Sequence, residues 1–259
     1  MGKTILVTGA TSGFGKAIAE RFAVNGYDVC ITGRRADRLA AFKKELEDTY
    51  KTKVLTLQFD VRNKEEVKTA IDSLMLHVKQ IDILVNNAGL ASGFSSIEDG
   101  DTDDWDVMID TNLKGLLYVT RQITPLMKEQ GSGHIINIGS TAAKLVYKNG
   151  NVYCATKFAV DALSQAMRID LLPYGIKVTA IHPGMAETEF SLVRFKGDEE
   201  RAKTVYEGFQ ALKAEDIADI AFYAASLPAH VCINDLTVTC TNQANSFYTL
   251  KDKDLANPK

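Results

Sequence analysis

The 259-residue chain has little of what marks several protein classes. It has only four cysteines, Cys30, Cys154, Cys232 and Cys240, with no CxxC pair and no His-containing ligand spacing. That pattern offers neither a disulfide framework nor a zinc site, and it suits a reducing, cytoplasmic setting. No apolar run approaches the ~18 residues of a membrane-spanning helix, so no membrane association is expected. The opening MGKTILVTGA lacks the charged, apolar and small-residue regions of a secretory leader. Neither sign of charge dominates: 30 basic side chains face 33 acidic ones, a net charge of −3, which argues against a nucleic-acid partner. No Pro/Gly/Ser-rich linker, internal repeat or low-complexity tract divides the chain. What is present is a globular composition, 46% hydrophobic and 24% charged, able to bury a sizeable core. Length alone leaves one large domain or two small ones. With no break visible, a single domain over 1–259 is expected.

Short apolar runs alternate with helical spacing. The runs are Thr4–Thr8, Asp28–Thr32, Val54–Phe59, Ile81–Val85, His134–Ile138, Lys177–His182 and Leu236–Thr239. Helical patterns lie between them, including one long stretch over about 103–129 and another over roughly 151–172. Unbroken apolar runs read as strands buried on both faces. Strict alternation then predicts an α/β fold, a doubly wound parallel sheet of about seven strands with right-handed crossovers. The segment at about 186–210 interrupts the alternation and reads as an inserted substrate loop. Ligands of such sheets sit beyond the carboxyl ends of the strands, where strand order reverses.

After the first run comes Gly9-Ala10-Thr11-Ser12-Gly13-Phe14-Gly15, then a helix. Glycines there let backbone approach a ligand, and a helix N-terminus offers free N–H groups to a pyrophosphate. The spacing is GxxxGxG, and no GKS or GKT triad suggests an ATP-type loop. The second run ends in Gly33-Arg34-Arg35, where an NAD binder usually carries an acid. Two guanidiniums fit a 2′-phosphate, so NADP is expected over NAD; the competing reading makes one of them a solvated helix-start charge. Asp60 and Val61 can hold an adenine, or Asp60 can cap a helix. Asn87, Ala88 and Gly89 can line the cofactor or brace neighbouring strands.

Ser140 follows the fifth run, and Tyr153 and Lys157 are four residues apart on one helix face. A phenol titrates near ~10, and a nearby ammonium favours its ionised form. Tyr153 can then exchange a proton with a substrate oxygen while a nicotinamide exchanges a hydride at the adjoining carbon. Ser140 can hydrogen-bond the same oxygen. Cys154 reads as a packed small residue and Trp105 as a helix-start anchor. His182 and His230 lack a local Ser or Asp partner and read as structural.

The ordered set of Thr8 to Gly15, Asn86 to Gly89, Asn112, Ser140, Tyr153 to Lys157 and Pro183-Gly184 resembles the short-chain dehydrogenase/reductase family over nearly the whole chain. The resemblance implies a Rossmann-type fold and a catalytic tetrad. Ser140 would orient substrate and Tyr153 would be the general acid/base. Lys157 would bind the nicotinamide ribose and lower the tyrosine pKa, and Asn112 would hold a proton-relay water. It also implies cofactor contacts from Pro183 and Gly184 and a homotetramer.

The stretches 137–142, 151–153, 188–191, 193–198 and 227–231 are further similar to the NADP-dependent 3-hydroxy acid dehydrogenases, a branch that includes serine and allo-threonine dehydrogenases. That implies oxidation of a 3-hydroxyl in serine-like compounds, or the reverse reduction. The acidic 99–104 stretch, Ala186-Glu187 and the polar C-terminal tail depart from the branch and bear on the substrate. A carboxylate substrate needs a cationic or N–H-rich partner, and Arg194 and Lys196 are candidates beside glutamine and backbone groups. The alternatives are a broad ketone or aldehyde reductase and a non-catalytic NADP sensor.

Overall fold

The computed structural model describes residues 2–255. Its strands are β1 (Thr4–Val7), β2 (Asp28–Gly33), β3 (Val54–Gln58), β4 (Ile83–Asn86), β5 (Gly133–Ile138), β6 (Ile176–Pro183) and β7 (Asp235–Val238). They form one parallel sheet in the order β3-β2-β1-β4-β5-β6-β7. The chain runs outward from β1 to β3 and then returns to β4 beside β1. Strand order therefore reverses between β1 and β4, and a crevice opens above their carboxyl ends.

Helices cover both faces. On one side α1 (Gly13–Val24), α2 (Ala36–Tyr50) and α9 (Ala214–Ser226) bury Ile5, Val7, Val29 and Ile31. On the other, α3 (Lys64–Met75), α5 (Leu116–Gln130) and α6 (Asn151–Leu171) bury Leu6, Cys30, Leu84 and Val178. Successive strand residues point to opposite faces, so a strand between two helical layers must be apolar throughout. Edge strands escape that requirement. Thr56 and Gln58 of β3 are exposed, although the run around them reads as apolar.

The long helical stretch is not one regular helix. It comprises α4 (Thr102–Ile109), a π-turn over Asp110–Gly115, and α5. Gly115 packs so closely on α3's approach that a Cβ there would sit 2.7 Å from Val61 Cγ2. The segment after β6 carries two short helices, α7 (Glu189–Arg194) and α8 (Glu199–Thr204). A short helix, α10 (Asp252–Leu255), ends the described chain. Among the described residues no helix is long and apolar enough to cross a membrane.

Candidate active site

A cleft of about 550 Å³ lies above the switch point, roofed by the segment after β6. Its phosphate end is built by the loop between β1 and α1. Gly9 turns with φ +66°, a left-handed conformation that glycine adopts without strain. A Cβ on Gly15 would lie 2.4 Å from both the Gly9 carbonyl and Asn87 Nδ2, so the loop closes tightly under Gly9. Ser12 precedes α1 without a side-chain cap, which leaves the first-turn N–H groups of that helix free toward the cleft. Gly9, Thr11, Ser12, Gly13 and Phe14 line the cleft, and Gly15 lies beneath them.

Arg34 and Arg35 both line the same end. Arg35 Nη2 donates to Thr11 Oγ1 at 2.7 Å and to Ser12 Oγ at 3.1 Å. Its Nη1 is 3.3 Å from Glu189 Oε2, and Arg38 Nη1 reaches Glu189 Oε1 at 2.8 Å. Arg38 and Glu189 went unread in the sequence. Arg38 sits one helical turn past Arg34 and so was accessible to a periodicity argument; Glu189 is brought in only by the roof. Uncapped helix amides beside three guanidiniums fit a phosphorylated dinucleotide.

Asp60 and Val61 line the cleft below β3. The cap of α3 is Asn63, whose side chain accepts from the N–H groups of Glu65 at 3.1 Å and Glu66 at 3.3 Å. Asp60 is therefore not the cap. Despite burial that raises its pKa, the Arg62 guanidinium at 2.6 Å and Arg34 at 3.9 Å hold its carboxyl below the usual range. Asn87 does brace strands: its Nδ2 donates to the Thr8 carbonyl at 2.9 Å. Asn87, Ala88 and Gly89 also line the cleft, so both readings of this turn coexist. Pro183 and Gly184 line it from the end of β6.

Ser140, Tyr153 and Lys157 converge at the other end. Ser140 follows β5 and caps a short 3₁₀ turn over Thr141–Ala143, its Oγ accepting the Ala142 N–H at 3.1 Å. That bond occupies a lone pair and leaves the hydroxyl hydrogen available. The Ser140 hydroxyl also bonds the Tyr153 phenol. Lys157, one turn on along α6, donates from Nζ to the Ile138 carbonyl at 2.9 Å.

The electrostatics differ from the sequence expectation. Lys157 lies 5.9 Å from the Tyr153 ring centroid, and its own burial pushes its pKa down to about 8. Burial, reinforced by Tyr147, pushes the Tyr153 phenol well above its usual value. Ser140 and the Arg194 guanidinium oppose that rise. Without cofactor the phenol is therefore held protonated, because removing water from a phenolate outweighs the nearby positive charge.

Asn112 is buried within the π-turn and outside the cleft lining. Its Oδ1 accepts the Leu90 N–H at 2.8 Å, while Nδ2 donates to the Leu90 carbonyl at 2.8 Å and to Thr156 Oγ1 at 3.1 Å. Those bonds tie the loop after β4 to α6, which is the bracing side of the expectation for this residue.

The two roof cations part company. Arg194 lines the cleft, and its guanidinium stands 5.2 Å from the Phe94 and Tyr153 centroids, 5.4 Å from Tyr147 and 5.8 Å from Phe190. Its Nη2 donates to the Tyr147 hydroxyl, and its buried Nε has no partner. Lys196 instead pairs with Asp104 at 3.0 Å and Asp101 at 3.3 Å, outside the cleft lining. The acidic 99–104 stretch thus serves as a counter-charge for the roof, and it draws Lys196 away from the substrate position. Tyr147, Phe94 and Phe190 carried no local signal; their aromatic wall exists only in three dimensions.

Cys154 is buried against Tyr153, Ala142 and Met108 as a small packed residue. Trp105 is half-buried on α4, its ring lying over Gly100. His182 has a richer setting than its flanking sequence suggests. Asp235 from β7 and Asp161 from α6 face its Nε2 at 3.0 Å and 3.6 Å.

Known proteins were compared with this arrangement. A family model described as short chain dehydrogenase matches residues 3–198. An NADP-dependent 3-hydroxy acid dehydrogenase of Salmonella typhi is 49% identical over 241 residues, 93% of this chain and 96% of that protein. Sulfoacetaldehyde reductase 2 of Chromohalobacter salexigens is 44% identical over 255 residues, 98% of this chain and 100% of that protein. The closed form of serine dehydrogenase complexed with NADP+ superposes with a TM-score of 0.87 at 44% identity, covering 95% of this chain and 98% of that one. Matched along most of its length by the family model and along nearly all of it by these relatives, the chain belongs to the short-chain dehydrogenases.

Proposed function

We propose that this dehydrogenase uses NADP to interconvert a small 3-hydroxy acid, such as serine, and the corresponding 3-oxo compound. The observation that carries the reading is Arg194, a desolvated guanidinium with an unpartnered Nε beside Tyr153. A charged donor in such a place recognises an acidic substrate group, and its planar fork fits a carboxylate. Relatives named for 3-hydroxy acids and serine support the same substrate class.

NADP, when bound, supplies the hydride acceptor or donor. Thr11, Ser12 and the first N–H groups of α1 would hold its pyrophosphate, and Arg34, Arg35 and Arg38 its 2′-phosphate. Arg194 would anchor the acid and so place the reacting oxygen. The Ser140 hydroxyl would donate a hydrogen bond to that oxygen. In reduction, Tyr153 gives its proton to the forming alkoxide; in oxidation it takes the proton back. Lys157, held on Ile138, would contact the nicotinamide ribose and supply positive charge behind the phenol. The positive charge of the oxidised nicotinamide would further oppose the burial that keeps Tyr153 protonated.

A Tyr153→Phe variant should lose turnover about 1,000-fold while still binding NADP, since positioned proton transfer contributes roughly 10²–10⁴. Unchanged turnover would overturn the acid/base role. A panel of serine, other 3-hydroxy acids and neutral alcohols, followed by nicotinamide absorbance, tests the substrate class. Equal or better rates with neutral alcohols would remove the acid reading.

A second reading follows from the same guanidinium, which accepts a sulfonate as readily as a carboxylate, and from the relatives named sulfoacetaldehyde reductase. Faster reduction of sulfoacetaldehyde than of any 3-oxo acid would favour it.

We further place the enzyme in a homotetramer and in the cytoplasm. Ala155, Phe158, Ala162, Ala166 and Ile169 make an exposed apolar stripe at helical spacing along α6, which suits a subunit contact. The cysteines are free thiols, as a reducing compartment keeps them.

A further inference from the structure

His182 is fully buried at the end of β6, directly behind the serine. A Cβ on Gly139 would lie 2.3 Å from His182 Nδ1, so the imidazole packs against the Gly139–Ser140 backbone. Nδ1 is 3.4 Å from the Ser140 N–H nitrogen and 3.2 Å from the Ser140 carbonyl. On its other side, Nε2 is 3.0 Å from Asp235 Oδ2 and 3.6 Å from Asp161 Oδ1. Lys144, just past the turn that Ser140 caps, bridges the two carboxylates at 2.8 Å and 3.2 Å. The short segment from Ser140 to Lys144 is thus gripped at both ends by one cluster. Asp161 lies one turn beyond Lys157 on α6, so the cluster refers the serine to the helix that carries Tyr153 and Lys157.

Resting on the role given to Ser140 above, we propose that His182, oriented by Asp235 and Asp161, is a positioning residue that sets the Ser140 hydroxyl against the Tyr153 phenol. Carboxylates at Nε2 favour the tautomer with its hydrogen there, which leaves Nδ1 to accept the Ser140 N–H. Burial pushes the His182 pKa down and Lys144 acts in the same direction, while Asp235 and Asp161 oppose them. The ring is accordingly neutral and an acceptor near neutral pH. No other ionisable group shifts it, so the cluster's own charges govern the contact.

A double-mutant cycle tests this. His182→Ala alone should lower kcat about tenfold, since a small misplacement of a reacting group costs up to about 100-fold. In a Ser140→Ala background the same change should cost less than about twofold, because the group it positions is gone. NADP affinity, read by fluorescence titration, should stay within about twofold in every variant. His182→Asn places an oxygen near the Nδ1 position and should recover most of the lost kcat. Additive losses, an Asn variant no better than Ala, or a kcat loss that tracks weakened NADP binding would overturn the proposal. If His182→Ala does not fold, Asp235→Asn at the half-exposed rim replaces it in the same cycle. Normal turnover in Ser140→Ala would refute the serine's role itself; a crippled Ser140→Ala with an additive cycle would refute only the part given to His182.

Discussion

At the phosphate end of the cleft, Arg35 and Arg38 are about two-fifths exposed and share Glu189; at the reaction end, Arg194 stands among four aromatic rings with a buried Nε that has no partner. Ion pairs in water contribute little, about 0–1 kcal/mol, so an arriving phosphate can replace Glu189 at small cost. A guanidinium already stripped of water gains more from an anion, because the lower dielectric strengthens the attraction. The phosphate end thus exchanges one counter-charge for another, whereas the reaction end lacks one until substrate arrives.

Three substitutions would break or sharpen this contrast. Arg194→Ala should lower kcat/KM for acidic substrates about 100-fold and for neutral alcohols only a few-fold, because leaving a charged partner unpaired costs a few kcal/mol. Equal losses for both substrate types would mean that the guanidinium supports the wall and does not read the anion. Replacing Arg34 and Arg35 together by alanine should weaken NADP about tenfold and NAD hardly at all; matched weakening would show that neither reads the 2′-phosphate. The smallest effect is expected for Glu189→Gln, which removes the competing carboxylate. NADP should bind roughly threefold tighter at low salt, and the gain should shrink as salt screens the exposed pair. Weaker binding would mean that Glu189 organises the arginines for the phosphate.

The contrast also marks where sequence reasoning reached. Gly9 to Gly15, Arg34 and Arg35 are neighbours in the chain, and their chemistry follows a strand end, so they could be read together. Tyr153 and Lys157 share a helix face through their spacing of four. Arg194 was nameable as a cation in an inserted loop, but its fate and that of Lys196 were not separable there. They diverge because Asp101 and Asp104, far back in the chain, capture Lys196. Nor could the sequence reveal that burial holds Tyr153 protonated against neighbouring positive charge.

Alternating periodicity and strand-end chemistry were enough to specify a doubly wound sheet, a phosphorylated dinucleotide at its switch point and a Ser–Tyr–Lys grouping, since each depends on residues a few positions apart. Folding alone decided what depends on distant partners. It gave His182 its carboxylates from α6 and β7, gave Arg194 its aromatic walls, and gave Glu189 its arginines. The physical reason is that charge and burial act through space, and a parallel sheet brings strand tips separated by scores of residues into contact.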